Sequence, residues 1–311
     1  MDKITDILVV VNPLVRDQSA VTKAALLARS LGAAIELLIC DTKGSRNART
    51  VGEPPADGNA LLANNLDMLL EEIAEPLRDD GIDVTTHVIS GDPLHEAVMA
   101  WMDNSPADLV IKDTHHHSFA TRTFATNTDW HLIRACPRPL LLTKPTMWNP
   151  RPVIMAAVDP GHANDPSAAL DHRILDVAVS LAGRLDAPLH AMHAYFTATI
   201  ATAAVGGMLS TIGVSAEALA AENALIRSRI RQITDHYGVA GANLHVAAAA
   251  AAEYLPRMVV EYHADILVMG ATARSGLKRV LLGSTAERVL EGLPCDVLVV
   301  KSQDFARNLP F

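Results

Sequence analysis

The sequence has little of what builds disulfide scaffolds, aromatic surfaces or basic patches. Its three cysteines, Cys40, Cys136 and Cys295, are widely spaced and form no Cys-x-x-Cys pair. That excludes a disulfide framework and fits a reducing compartment. Aromatic residues make up 4% of the 311 residues, so Ala, Leu, Val and Ile must build the core. The net charge of -9 argues against broad binding to nucleic acid or anionic membranes. There is no Gly-x-x-x-x-Gly-Lys-Ser/Thr run, which excludes a P-loop ATPase. No basic, apolar N-terminal stretch reads as a secretory signal. One apolar segment, Thr197 to Val214, calls for a membrane check. It is rich in Ala, Thr and Gly and lacks the leucine density of a spanning helix. It reads as an excursion between a strand and a helix, so a cytoplasmic protein without a membrane span is expected.

What is present is one unit written twice. The first strand, Ile7 to Val11, ends at Asn12-Pro13 and recurs as Ile154 to Val158, ending at Asp159-Pro160. An amphipathic helix follows each, Ser19 to Leu31 and about Ser167 to Leu185. Second strands (Ala34 to Cys40, Leu189 to Ala194) and second helices (near Ala60 to Arg78, Ala216 to Tyr237) come next. Third strands (Asp83 to Ile89, Asn243 to Ala248), third helices (Pro93 to Met102, Tyr254 to Tyr262) and fourth strands (Leu109 to Lys112, Ile266 to Met269) repeat the pattern. Each unit closes with a fourth helix and a fifth strand, Leu140 to Thr143 and Val297 to Lys301. Ala107 to Lys144 aligns without a gap on Ala264 to Lys301, at an offset of 157 (264 minus 107). Alternating strands and helices predict α/β domains, each a doubly wound five-stranded parallel sheet. The expected domains are 1–145 and 151–302, packed on each other across a short linker, Pro145 to Pro152. Ligands of such sheets bind at the carboxyl ends of the strands, at the switch point, where Asp159 and Gly270 should both lie.

The most informative stretch runs from Met269 to Thr285. Gly270 follows a buried strand, and Gly283, Ser284 and Thr285 precede the next helical pattern. Glycine lets backbone N–H groups approach an anion, and a helix N-terminus adds a favourable dipole. Ser284 and Thr285 can donate to phosphate oxygens, and Arg274, Lys278 and Arg279 bring positive charge. The residues alone leave a tight strand-to-helix connection with a routine cap equally open.

This stretch resembles the Gly-x2-Gly-x9-Gly-Ser/Thr signature of the universal stress protein family. Gly270, Gly283 and Ser284 match, and the nine-residue spacer from Arg274 to Leu282 matches in length. The second glycine position holds Ala273, whose methyl group would crowd a phosphate. The whole chain resembles a tandem member of the E-type branch, most closely at Thr128-Asp129-Trp130-His131-Leu132 and Cys136-Pro137. The resemblance implies two adenine nucleotide alpha hydrolase-like domains, a cytoplasmic stress-response role and no identified reaction. It places the adenine-contacting acid on Asp159. The phosphate and ribose positions fall on Gly270, Ala273, Arg274, Gly283, Ser284 and Thr285, with ATP as the implied cofactor. It also implies a homodimer, or a domain pair made within one chain.

In the first half the same positions are Asn12, Asp113, His116, Thr126 and Asn127, so no glycine cradle is expected there. In its place stands Lys112-Asp113-Thr114-His115-His116-His117. In extended chain His115 and His117 point to one side and could bind zinc, with Asp113, His95 or His131 as further ligands. The competing reading is a polar loop with solvated histidines. No catalytic constellation stands out. Three functions remain: a nucleotide-binding stress protein, an interaction or ligand- and metal-binding stress protein without ATP, and a slow nucleotide hydrolase.

Overall fold

The computed structural model of the protein describes residues 4–15, 18–42, 65–114, 127–160, 168–195, 216–271, 288–290 and 292–302. The first half contains β1 (Asp6–Val10), α1 (Ser19–Leu31), β2 (Ala34–Asp41), α2 (Leu66–Asp79) and β3 (Val84–Ser90). It continues with α3 (Leu94–Met102), β4 (Leu109–Asp113), α4 (Asn127–Ala135) and β5 (Leu140–Thr143). The second half contains β6 (Ile154–Ala157), α5 (Ala168–Leu185), β7 (Leu189–Tyr195) and α6 (Ala216–His236). It ends with β8 (Leu244–Ala248), α7 (Ala251–Glu261), β9 (Ile266–Gly270) and β10 (Asp296–Val300).

The strands are apolar on both faces because both faces are covered. Ile7 and Val9 point into one core with α1, α2, α5 and α6, whereas Leu8 and Val10 point into a second core with α3, α4 and α7. Alternation along each strand therefore feeds two cores from one run of apolar residues, which is why no polar face appears in the sequence. Helix α1 stops where the sequence places its glycine. Gly32 adopts φ 66° and its N–H reaches the Ala28 carbonyl at 2.8 Å, a left-handed cap that favours glycine.

All ten strands belong to one sheet, in the order β3-β2-β1-β4-β5-β10-β9-β6-β7-β8. Pairs within each half are parallel, and the first half's order β3-β2-β1-β4-β5 corresponds to β8-β7-β6-β9-β10 in the second. The halves do not stack as separate sheets. They join edge to edge through an antiparallel pair, β5 with β10. Leu298 lies opposite Leu141, a separation of 157 residues (298 minus 141), so the repeat offset of the sequence is also the local symmetry of the seam.

Polar contacts across the seam repeat the same relation. Lys144 donates to the carbonyl of Leu293, and Lys301 donates to the carbonyl of Cys136 at 2.6 Å. Both lysines and both carbonyls are 157 residues apart (301 minus 144, 293 minus 136). One buried ion pair breaks the symmetry. Lys23, fully buried on α1, meets Asp296 at 2.7 Å and donates to the Lys144 carbonyl at 2.7 Å. Asp296 also accepts from the Lys144 N–H at 2.8 Å and from Trp148 Nε1 at 2.7 Å. Lys23 lies 5.7 Å from the centre of the Trp148 ring. First half, linker and second half thus meet at one carboxylate.

Truncating one partner of such a pair strands a buried charge. Lys23→Ala or Asp296→Ala is expected to cost about 3–5 kcal/mol, whereas Lys23→Met with Asp296→Leu should cost much less. Urea unfolding of the three variants checks this. The seam should also respond to pH. Burial pushes the Lys301 ammonium from its ordinary 10.5 down to about 7. Below pH 7 the folded and unfolded chains are both charged there, and the cost of the buried charge is complete. Between pH 7 and 10 the folded chain sheds the proton and the unfolded chain keeps it, so this residue's cost fades as pH rises. Unfolding free energy should therefore climb across that window more steeply in the wild type than in Lys301→Met, by at most about 1.4 kcal/mol per pH unit. Denaturant titrations at pH 7, 8.5 and 10 read the difference.

Candidate functional site

In each half the sheet order reverses between the first and fourth strands, β1 and β4 or β6 and β9. Within each half the carboxyl ends of these strands face one edge, and the antiparallel β5–β10 pair puts the two switch points at opposite edges of the sheet.

In the first half the end of β4 is filled by the protein itself. Asp113 is buried, and its Oδ1 accepts from Ser19 Oγ at 2.5 Å, the Ala20 N–H at 2.9 Å and Thr143 Oγ1 at 2.7 Å. Ser19 and Ala20 open α1, whose N-cap, Gln18, provides no side-chain cap. Asp113 therefore serves as that cap from a distant strand. Beside it, Lys112 donates to Asp129 Oδ1 at 2.8 Å, a buried pair that ties β4 to α4. This corrects the expectation of Asp113 as a metal ligand: its carboxylate is turned inward and committed to α1. The expectation for His95 and His131 also changes. Their rings stack with centroids 4.0 Å apart and planes within 5°. Imidazole lone pairs lie in the ring plane, so stacked faces do not aim two nitrogens at one ion. Burial, with His131 second, holds His95 below the ordinary histidine value. His115 and His117 lie outside the described residues. Among the described residues no group of three His, Cys, Asp or Glu side chains is placed to hold a metal, so nothing there supports zinc.

In the second half the ends of the first three strands border an open space. A cavity of about 670 Å³ lies beyond the ends of β6, β7 and β8, under α6 and against the start of α7. Asp159 forms one wall, and its side chain is 62% exposed. The turn that presents it is fixed from α5, where buried Asp171 accepts from the Asp159 N–H at 2.9 Å. His193 and Tyr195 rise from β7, and Glu222, Leu225, Ile226 and Arg229 descend from α6. The floor is Ala249 to Ala252, and α7 begins there without a side-chain cap. At the repeat offset, Asp92 and His95 of the first half correspond to Ala249 and Ala252 (92 plus 157, 95 plus 157). Small residues replace polar ones where the cavity needs room.

Gly270 lies at the switch edge as expected, and the side chains of α5 pack closely over it. A Cβ there would lie 2.6 Å from Leu170 Cδ2 and 3.1 Å from Ile174 Cδ1 of α5. Gly270 and Asp113 occupy equivalent positions and solve one problem in two ways: each sets how closely the half's first helix approaches the end of its fourth strand. Ala273, Arg274, Gly283, Ser284 and Thr285 lie outside the described residues, as does the Thr197 to Val214 segment. Sequence reasoning missed His193, Tyr195, Glu222 and Arg229.

The sequence pattern of the universal stress protein family matches residues 3–144 and 153–301. The chain belongs to the universal stress protein family. It is 26% identical over 304 residues to Universal stress protein E of Escherichia coli strain K12, covering 96% of this chain and 95% of that protein. The homolog from Haemophilus influenzae is 24% identical over 306 residues, covering 96% of this chain and 98% of its own length. Among solved structures, a functionally unknown protein from Pseudomonas aeruginosa PAO1 superposes with a TM-score of 0.76 at 29% identity, covering 98% of this chain and 95% of its own. A universal stress protein from Archaeoglobus fulgidus shares the fold, with a TM-score of 0.65 at 16% identity over 97% of this chain and 98% of its own. No helix among the described residues is long and apolar enough to cross a membrane.

The packing at Gly270 predicts a cost that needs no ligand. Gly270→Ala should destabilise the nucleotide-free protein by about 1–3 kcal/mol, because Leu170 and Ile174 must move. Chemical denaturation without nucleotide checks it. An unchanged midpoint would return Gly270 to a role in ligand approach alone.

Proposed function

We propose that the protein is a cytoplasmic, non-catalytic stress-response protein whose second half binds ATP or a related adenine nucleotide. The observation that carries this reading is the open cavity beside Asp159, at the carboxyl ends of β6, β7 and β8. A volume of about 670 Å³ falls within the range of small-molecule sites, about 300–1,000 Å³. Asp159 supplies an acceptor for an exocyclic amine. The uncapped start of α7, with Arg229 nearby, supplies positive potential. Gly283, Ser284, Thr285 and Arg274 are the residues proposed to meet the phosphates, with Ala273 as the departure that weakens them. We read 1–145 as the half with the degenerate motif and 151–302 as the half with the near-complete one. Net charge of -9 supports a role without nucleic-acid partners. The β5–β10 pair uses both last-strand edges within one chain, so a homodimer built on either edge would have to break the seam.

Isothermal titration with ATP tests the reading. Wild type should bind weakly, and Ala273→Gly should bind equally or more tightly, by up to about tenfold. Gly283→Val should lose binding, because a branched side chain crowds both the phosphates and the helix entry. If neither wild type nor Ala273→Gly binds any nucleotide, the second half is structural.

A further inference from the structure

We propose that His190 and His245 make the outer edge of the second half an acid-sensitive clasp, which holds β8 and α7 against β7 at neutral pH and lets go as both rings take up protons. His190 Nδ1 and His245 Nε2 lie 2.9 Å apart, near the amino ends of β7 and β8. A contact of that length holds one proton between two ring nitrogens, so at least one ring must be neutral there. Two imidazolium rings would aim two N–H groups at each other with no acceptor between them. Tyr262, at the end of α7, packs against both rings, its centroid 4.9 Å from that of His190 and 4.4 Å from that of His245. Glu261 and Tyr262 are the titratable groups that α7 brings to the pair, whereas β6 and the turn Gly241–Asn243 carry none. β8 is the outermost strand on this side of the sheet, and β7 is its pairing partner. The clasp therefore joins an edge strand and the helix that follows it to the rest of the half.

Burial, with His245 second, holds His190 below its ordinary 6.5, and burial holds His245 below the same value against the opposing pull of Glu261. Well above pH 6.5 both rings are neutral whether the edge is closed or open, and the clasp is intact. As pH falls below 6.5 the open edge takes up protons that the closed clasp resists, so closure weakens. The first half fills the same place with different chemistry. Ile7 and Ile154 stand beside Leu109 and Ile266, which are 157 residues apart (266 minus 109). Strand register from there puts Glu36 where His190 stands and His87 where His245 stands. Ser105 corresponds to Tyr262 (105 plus 157). Glu36 accepts from Trp101 Nε1 at 2.8 Å and from Ser105 Oγ at 2.6 Å, and lies 3.6 Å from His87 Nε2. A carboxylate faces the imidazole there, so a proton on His87 meets no like charge. One half pairs acid with base, and the other pairs base with base.

Hydrogen–deuterium exchange of the full chain tests the clasp, read as protection factors for residues 84–102 and 244–262 at about pH 7.5 and 5.5. The proteins compared are wild type, His190→Gln, His245→Gln and His190→Glu. Wild-type protection over 244–262 is expected to fall by about tenfold on acidification, the factor that a tenfold difference in proton affinity between closed and open forms supplies. Protection over 84–102 should fall by less. His190→Glu places the first half's acid in the second half and should hold its protection in acid. Either glutamine variant should hold it too, because one ring remains and no second cation can form. Equal wild-type protection over 244–262 at the two pH values overturns the inference. So does an equal loss over 84–102, or a loss in the variants as large as in wild type. Each variant removes the second charge independently, so one that fails to fold leaves the comparison with the others intact.

Discussion

The structure depends on the pairing of two strand edges that would otherwise be exposed. Leu140, Leu141 and Leu142 of β5 and Val297, Leu298 and Val299 of β10 are buried. In a separate half, either strand would offer a row of unpaired backbone groups flanked by apolar side chains, which invites aggregation. Antiparallel pairing satisfies both edges at once and makes one ten-stranded sheet. Buried charge then fixes the junction. Lys23 and Asp296 meet at 2.7 Å, and the carboxylate also gathers N–H donors from Lys144 and Trp148. Apolar strands supply most of the attraction and little direction. The ion pair supplies direction, because any slip of the register leaves a charge buried alone.

The fold is symmetric and the two switch points are not. At the end of the fourth strand one half carries Asp113 and the other Gly270. The aspartate turns inward to cap α1, whereas the glycine admits Leu170 of α5. At the start of the third helix the first half carries Asp92 and His95 and the second carries alanines. In the first half the buried Asp113 carboxylate is satisfied by Ser19, Ala20 and Thr143 of the same half.

The element order, the repeat and the position of the switch points were legible in the sequence. Uninterrupted runs such as Ile7 to Val11 and Ile266 to Met269 announce strands buried on both faces, and Gly32 announces the end of α1. The resemblance at Gly270, Gly283 and Ser284 placed the chain in its family. The sequence read Gly270 as a place for an anion to approach, because a glycine at a strand end has that use in nucleotide sites. The neighbour that needs the space, Leu170, is distant in sequence and became visible once α5 lay on β9. His193 was hidden for a related reason. It sits in a strand that reads as apolar core, and its hydrogen-bond partner, the Val158 carbonyl, follows a different strand.

Local chemistry thus determined which segments become strands and helices, since period and capping act over a few residues. It also determined that the chain is two copies of one α/β unit, because both copies carry the same pattern. Tertiary structure decided how the copies meet, which edge is open and which polar groups face each other. Those outcomes depend on contacts such as Lys23 with Asp296 and Ser19 with Asp113, whose partners lie far apart along the chain. Side-chain pairing at that range is set by strand order and register, which apolar patterning alone leaves undetermined.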